Sequence, residues 1–320
     1  MKLDFIGDVY LNNKVDLSQK LNLNNIILNL EAPFNNKGIP AENKVNLYMD
    51  PNFFLETFNP NTIAAVNLAN NHIMDFGEEA YNYTIKILKE NKIPYFGVGN
   101  IEDKFNNPLI IKDKFALFGY ACKSTNGVFG TNEKIGAALF DLDKTIIEID
   151  KYRGKYFIII NIHWGQEYFS FPKPEDVVKA RKLVDSGADL IIGHHTHKIQ
   201  SYEKYRGKYI FYSIGNAIFH DGVVPSKYDG RKFQKKYRMK YKRANRISFK
   251  VTIDSDKNIV SKRFIYYDKF KLRLHNSPYL RIKTRFIFKG FLYKIYSVYK
   301  RISFSFKYHL EKVKNESRNT

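Results

Sequence analysis

Five short blocks of the 320-residue chain gather polar side chains suited to metal and proton chemistry. They are Gly7-Asp8, Asn29-Leu30-Glu31, the run NLANNHIMDFG from Asn67 to Gly77, HWGQEY from His163 to Tyr168, and GHHTH from Gly193 to His197. Five of the eight histidines fall inside them. Imidazole is the commonest metal ligand, and with carboxylates it holds first-row divalent ions. His195 and His197 lie two apart, a spacing that on an extended segment or tight loop sends both rings towards the same pair of ions. The single cysteine, Cys122, excludes an intrachain disulfide framework and a Cys-based zinc site.

Taken singly, each residue has a plainer reading. Asn70-Asn71 suits a turn or the cap of a helix starting at Gly77. His163 alone suits a core histidine, and Trp164 a core or pocket-wall residue. Gly215-Asn216 is explained by a tight turn as well as by substrate contact. His220, His275 and His309 match no block and read as surface or local-packing residues.

The blocks sit where apolar runs end. Leu3 to Leu11, Asn25 to Leu30, Thr62 to Leu68, Lys155 to Ile162, Asp189 to Ile192 and Tyr209 to Ile214 read as strands. Pro94 to Val98 and Arg246 to Ile253 are further strands, the latter at an edge or in a meander. Pro108 to Ile111 and Lys114 to Tyr120 suit a hairpin. Helical spacing marks Gly77 to Asn91 and Glu175 to Ser186. Strand ends covered by helices open onto loops that hold ligands, so the pattern predicts an α/β or α+β sandwich.

Together the blocks NLANNHIMDFG, HWGQEY, GHHTHKIQ and the later YSIGNAIF resemble CapA-type capsule and poly-γ-glutamate synthesis proteins, over roughly residues 3 to 220. The resemblance implies a calcineurin-like, metallophosphatase-type fold, a four-layer α/β/β/α sandwich with a metal site at the strand ends. It implies Asp8, Glu31, Asn71, His163, His195 and His197 as ligands of one or two divalent ions (Mn, Fe or Zn), with Glu31 bridging. His72 would move a proton, Asp75 would orient His72, and Asn70, His194, Glu167 and Asn216 would support the site or touch substrate. The first motif departs from the usual Asp-x-His, because its third residue is Tyr10. The implied activity is metal-dependent hydrolysis by an activated water in capsule or exopolymer synthesis. The alternative is a non-catalytic polymer-binding component of a capsule assembly.

The net charge of +21 is unevenly placed. Pro225 to Asn245 carries nine Lys/Arg against Asp229, and Lys269 to Thr320 carries fourteen against Glu311 and Glu316, so these segments hold +20 and leave a nearly neutral body. The reading is one domain over 1–265 with a basic insertion near 225–245, and a basic amphipathic tail over 266–320. In the tail Phe288, Phe291, Leu292, Ile295, Val298 or Tyr299, Ile302 and Phe306 recur at helical spacing, interleaved with Lys289, Lys294, Lys300, Arg301 and Lys307. That composition suits a helix in a membrane interface, with packing on the main domain as its rival. Expected partners are an anionic polymer or phosphorylated substrate, a membrane surface and capsule-assembly proteins. No nucleic-acid motif accompanies the charge. Neither a signal peptide nor a spanning helix is visible, which places the chain in the cytoplasm or peripherally at the inner membrane face.

Overall fold

The computed structural model describes residues 1–102, 105–254, 259–288 and 290–316, without the side chains from 304 onward. Among the described residues, two large sheets and six α-helices make a mixed α/β fold.

In the first sheet the strands Lys2–Tyr10, Ile26–Leu30, Ile63–Asn67 and Tyr95–Phe96 run parallel, side by side. An antiparallel meander of Ile247–Asp254, Ile259–Tyr267 and Lys271–His275 continues it on the other flank of the first strand. The strand foreseen at Arg246 to Ile253 thus lies inside the sheet, between two neighbours. Asn216–Phe219 pairs with the end of the first strand. The second sheet holds Phe115–Ala121, Phe157–His163, Leu190–His194 and Lys208–Phe211 in parallel. Its antiparallel edges are Leu109–Ile111 and Tyr202–Tyr205.

These strands read as unbroken apolar runs because both faces are buried. Side chains alternate across a strand, so neighbours go to different cores. Ile27, Phe5, Leu117, Ile159 and Phe211 share one cluster between residues of both sheets. Ile26, Leu28 and Val66 turn the other way, onto Phe54, Tyr81 and Leu88 of helices Pro51–Thr57 and Gly77–Glu90. Phe118, Ile160 and Ile191 meet Ile149, Val177 and Leu183 of helices Leu142–Tyr152 and Pro174–Asp185. Each fully buried Leu, Ile or Phe side chain contributes about 1.5–3 kcal/mol.

Two helices went unforeseen. Pro51–Thr57 starts on Asp50, whose side chain accepts from Asn52 N, and Leu142–Tyr152 starts on Asp141, which accepts from Lys144 N. Both are Asp N-caps.

The basic insertion folds as a hairpin, Gly222–Tyr228 against Phe233–Met239, bridged to the 42–45 loop through Glu42 to Tyr228 and Val45 to Ser226. The strand Ile259–Tyr267 runs across the boundary expected at 265/266, and Lys271–His275 pairs with it. Helix Gly290–Glu316 follows. Lys289 lies outside the described residues, and so do the side chains of Phe306, Lys307 and His309.

His220 is buried, not superficial. Its Nδ1 accepts from Asn12 N at 2.8 Å, and its ring packs on Tyr267. Burial, then the Arg246 charge, push its pKa down to about 4, so the unfolded chain takes up its proton first as pH falls. Stability supplied by the neutral ring is complete above about pH 6.5 and is lost as pH falls towards 4. His220→Gln is expected to flatten the acid limb of denaturant-derived stability by up to about 1.4 kcal/mol per pH unit in that window. An unchanged slope there would contradict the assignment.

Candidate functional site

The parallel register lines up the polar strand ends. Asn216, Asp8, Asn29 and Asn67 occupy one row across the first sheet, and Ala121, His163 and His194 one row across the second. Close approach of backbones sets this up. A Cβ on Gly7 would lie 1.7 Å from Gly215 O, and one on Gly193 would lie 1.9 Å from Tyr212 O. Only glycine lets Asp8 N reach Gly215 O at 3.0 Å. Past Gly193 the chain turns through His195 (φ 83°) and His197 (φ 52°). These are left-handed conformations costing about 1–3 kcal/mol each for non-glycine residues.

One set of donor atoms gathers around His163. From His163 Nε2, Asn71 Oδ1 is 2.8 Å away, His195 Nδ1 is 3.2 Å away and Glu31 Oε1 is 3.6 Å away. Ligand atoms each about 2.1 Å from an ion in a tetrahedral set lie about 3.4 Å apart. A second set joins Asp8, Glu31 and His197, with ligand atoms within 4.8 Å of one another. Glu31 belongs to both. The structure therefore brings together all six residues assigned as ligands by resemblance, among nitrogen and oxygen donors that suit first-row divalent ions.

Hydrogen bonds orient these groups. Asn29 Nδ2 donates to Asp8 Oδ1 at 2.9 Å and also to Glu31 Oε2. His194 Nδ1 lies 2.8 Å from Asp8 Oδ1, and since a carboxylate only accepts, this nitrogen carries the proton. Asn216 donates to Asn245 O and turns Oδ1 to His197 Nδ1 at 3.0 Å, which fixes the His197 proton there and leaves Nε2 its lone pair. Asn70 accepts from His72 N and Ile73 N and donates to Leu30 O. Asp75 Oδ2 lies 2.5 Å from His72 Nδ1.

Electrostatics leave the site short of positive charge. Glu31 is wholly buried, its Oε1 has no hydrogen-bond partner among the described residues, and burial, then the Asp8 charge, hold its pKa well above the usual range. At Asp8, burial pushes upward but His194 and His197 outweigh it, so its pKa is lowered. Burial, then the neighbouring imidazoles, hold His163 well below its usual value. Burial takes His195 down to about 4. Burial also lowers His72, against Asp75, which pulls upward. Neutral imidazoles beside two buried carboxylates are what a divalent cation requires.

A cavity of about 180 Å³ opens beside His72, Asn71 and His197. Exposed Glu167 stands at its rim. Sequence reasoning missed several of its walls. Lys44, Tyr168, Tyr237, Met239 and Tyr241 all line it. Tyr168 ends the HWGQEY block, and Tyr237 and Tyr241 are aromatics among the cations of the insertion, whereas Lys44 and Met239 carried no signal. Tyr10 is buried against Phe219, with ring centroids 5.2 Å apart. Burial, then Tyr48, push its phenol up to about 12, so it stays protonated. Trp164 and Cys122 lie in the core cluster over the second sheet.

Lys44 Nζ sits 2.6 Å from Asp75 Oδ1, with side-chain exposures of 11% and 0%. Removing one partner of such a pair strands the other charge, at a cost of about 3–5 kcal/mol. Lys44→Met is expected to lower unfolding free energy by roughly 3 kcal/mol, and Asp75→Asn added to it should restore part of that loss. Additive losses in the double-mutant cycle would show that the pair is uncoupled.

The model of the family described as "Bacterial capsule synthesis protein PGA_cap" matches residues 3–221. "Capsule biosynthesis protein CapA" of Bacillus anthracis is 34% identical over 172 residues, 51% of this chain and 41% of that protein. "PGA biosynthesis protein CapA" of Bacillus subtilis is 30% identical over 170 residues, 49% of this chain and 43% of that protein. A "Probable polyglutamine synthesis accessory protein" of Mycobacterium tuberculosis is 28% identical over 212 residues, covering 60% and 54%. The matches thus span about half the length of these relatives. The matched stretch contains every residue of both donor sets, and the chain belongs to the PGA_cap family of bacterial capsule synthesis proteins.

Proposed function

We propose that the chain is a divalent-metal-dependent hydrolase acting on an anionic polymer or phosphoester during capsule or exopolymer synthesis. The observation that carries this is Glu31, a buried carboxylate with an unpartnered oxygen, shared by two sets of nitrogen and oxygen donors. The three core clusters, one between the sheets and one under the helices on each outer face, support a four-layer α/β/β/α order of the metallophosphatase type.

Asn71, His163, His195 and Glu31 would hold one ion, and Asp8, Glu31 and His197 a second. When bound, such ions supply Lewis acidity and a water of lowered pKa. The chain's own residues do the rest. Asp75 fixes the His72 proton on Nδ1, so Nε2 is the atom that exchanges a proton with the leaving group. Lys44 holds Asp75 from the other side. Tyr168, Tyr237 and Tyr241 narrow the cavity and shed water from it.

The hairpin bearing Tyr237 and Met239 carries Lys235, Lys236 and Arg238, all exposed. Cations on the hairpin whose Tyr237 and Met239 line the cavity favour a polyanion, of which one unit enters while others lie on the hairpin. Tyr10 favours a second reading. A neutral phenol packed on Phe219 offers the Asp8 set no imidazole, as a polymer-binding protein without turnover would tolerate.

Manganese-dependent hydrolysis of an aryl phosphate separates the two. His195→Ala with His197→Ala should abolish both metal retention and turnover. His72→Ala should keep the metal and lower kcat by about 10²–10⁴. A metal-free protein without turnover that still binds polymer would establish the second reading.

No helix among the described residues is long and apolar enough to cross a membrane. The C-terminal helix offers a different attachment. Tyr296 OH accepts from Ser170 N at 2.8 Å, its ring meets Phe169 and Phe171, and Lys300 lies over Phe169. Phe291, Leu292, Ile295, Val298, Tyr299 and Ile302 are left exposed, flanked by exposed Lys294 and Arg301. The helix thus grips the body with one face and presents an apolar stripe with cations on the other. We propose that an anionic bilayer is what this stripe meets, with each cation near the surface adding about 1 kcal/mol. Leu292→Glu with Ile295→Glu should weaken sedimentation with phosphatidylglycerol vesicles at least tenfold, and neutral vesicles should bind little of the unmodified chain. Binding that is absent, or equal on both vesicles, would refute the attachment.

A further inference from the structure

A cavity of about 580 Å³ lies away from the donor sets, beneath the start of the C-terminal segment. Its floor is aromatic. Phe249 stacks on Phe264 with centroids 4.9 Å apart, and Tyr202 meets Phe249 edge-on at 6.0 Å. Its rim is cationic, with Lys262 and Arg263 from the strand Ile259–Tyr267, and Arg281 and Arg285 from the segment that crosses it. Among the described residues no carboxylate lines it, and none pairs with these four cations. Lys262 Nζ is held 4.2 Å from the Tyr202 ring centroid and 5.1 Å from that of Tyr209. His275, also on the wall, is lowered by burial and then by Arg243 and Arg273, so it stays neutral and adds no charge.

Four cations gathered without an acid repel one another, and surface ion pairs could have relieved that at little cost. Here the cations surround a cavity whose volume falls within the range of small-ligand sites. A floor of stacked rings selects an apolar or planar body, and guanidinium forks select phosphate. We infer that this cavity binds an organic phosphate, its body on Phe249, Phe264 and Tyr202 and its phosphate between Lys262, Arg281 and Arg285. The inference does not depend on the metal chemistry proposed above.

The segment over the cavity is anchored on both sides. Tyr202 N donates to Thr284 O at 2.8 Å, and Ser201 Oγ donates to Phe286 O. Lys283 Nζ reaches Ser170 Oγ at 3.3 Å. A ligand held by Arg281 and Arg285 would fasten the root of the C-terminal helix to the sheet.

Titration calorimetry on the full chain, carrying His195→Ala and His197→Ala to remove binding at the donor sets, provides the test. The probes are dihexanoyl phosphatidic acid, uridine diphosphate and inorganic phosphate. One of the two organic phosphates is expected to bind one to one, at least tenfold tighter than inorganic phosphate. Which one binds tells a lipid from a nucleotide. Arg281→Glu with Arg285→Glu should weaken it at least tenfold, and so should Lys262→Met, which keeps the stem on Tyr202 and removes only the charge. The inference falls if neither organic phosphate binds, if inorganic phosphate binds as tightly, or if the variants leave the affinity unchanged.

Discussion

Two carboxylates, Asp8 and Glu31, are buried at zero exposure within reach of one Asn29 amide. Burying even one carboxylate costs several kcal/mol unless it is paired and hydrogen-bonded, and two together repel. The strand ends meet that demand only in part. Asn29 donates to both acids, His194 donates to Asp8, and His195 N adds a weak contact to Asp8 at 3.3 Å. What remains is one carboxylate oxygen with nothing to accept. The imidazoles around it have been stripped of their protons by burial and by one another, so they cannot supply the charge themselves.

The fold is what makes so unfavourable a grouping persist. Three apolar clusters pin the strands from which these side chains project. Glycines at 7 and 193 let the strand ends approach until backbone touches backbone. The left-handed turns at His195 and His197 are held by neighbours: Tyr168 N donates to Thr196 O at 2.7 Å, and Asn245 Nδ2 donates to His197 O. Strain and buried charge are thus concentrated in one place and over-determined by ordinary packing elsewhere.

Much of this was legible in the sequence for a physical reason. An apolar run ending in Asp, Asn or His has few meanings, because a strand buried on both faces carries few polar groups except near its ends. That logic located Asp8, Glu31, Asn71, His163 and the 195–197 segment. It failed where no local pattern exists. Lys44 sits in an irregular loop, and only the closing of 42–45 onto the hairpin brings its ammonium to Asp75. The hairpin strand FQKKYRM has cations at three of seven positions, so exposure hides the alternation that marks a half-buried strand. Helix 51–57 is short and its signal lay in the Asp50 cap, whereas helix 142–152 is amphipathic and its periodicity went unread. The cavity under Arg281 joins residues from 202 to 285, beyond the reach of any window.

Two donor sets meet at Glu31, and Tyr10 bears on one of them through packing. Around His163 three donors lie 2.8 to 3.6 Å from its Nε2, and the ligand atoms of Asp8, Glu31 and His197 all lie within 4.8 Å of one another. Tyr10 stands on the same strand as Asp8 but spends its ring on Phe219, which itself packs edge-on against His197 at 4.7 Å. Tyr10 therefore still shapes the site, by backing the Phe219 ring that packs on His197. Glu31 couples the sets, because its raised pKa belongs to a carboxyl facing Asp8 without a cation. A cation at either set would ionise Glu31, and a charged Glu31 is a ligand the other set shares. Occupation of the two sets would thus be coupled through one shared carboxylate, whichever chemistry each position performs.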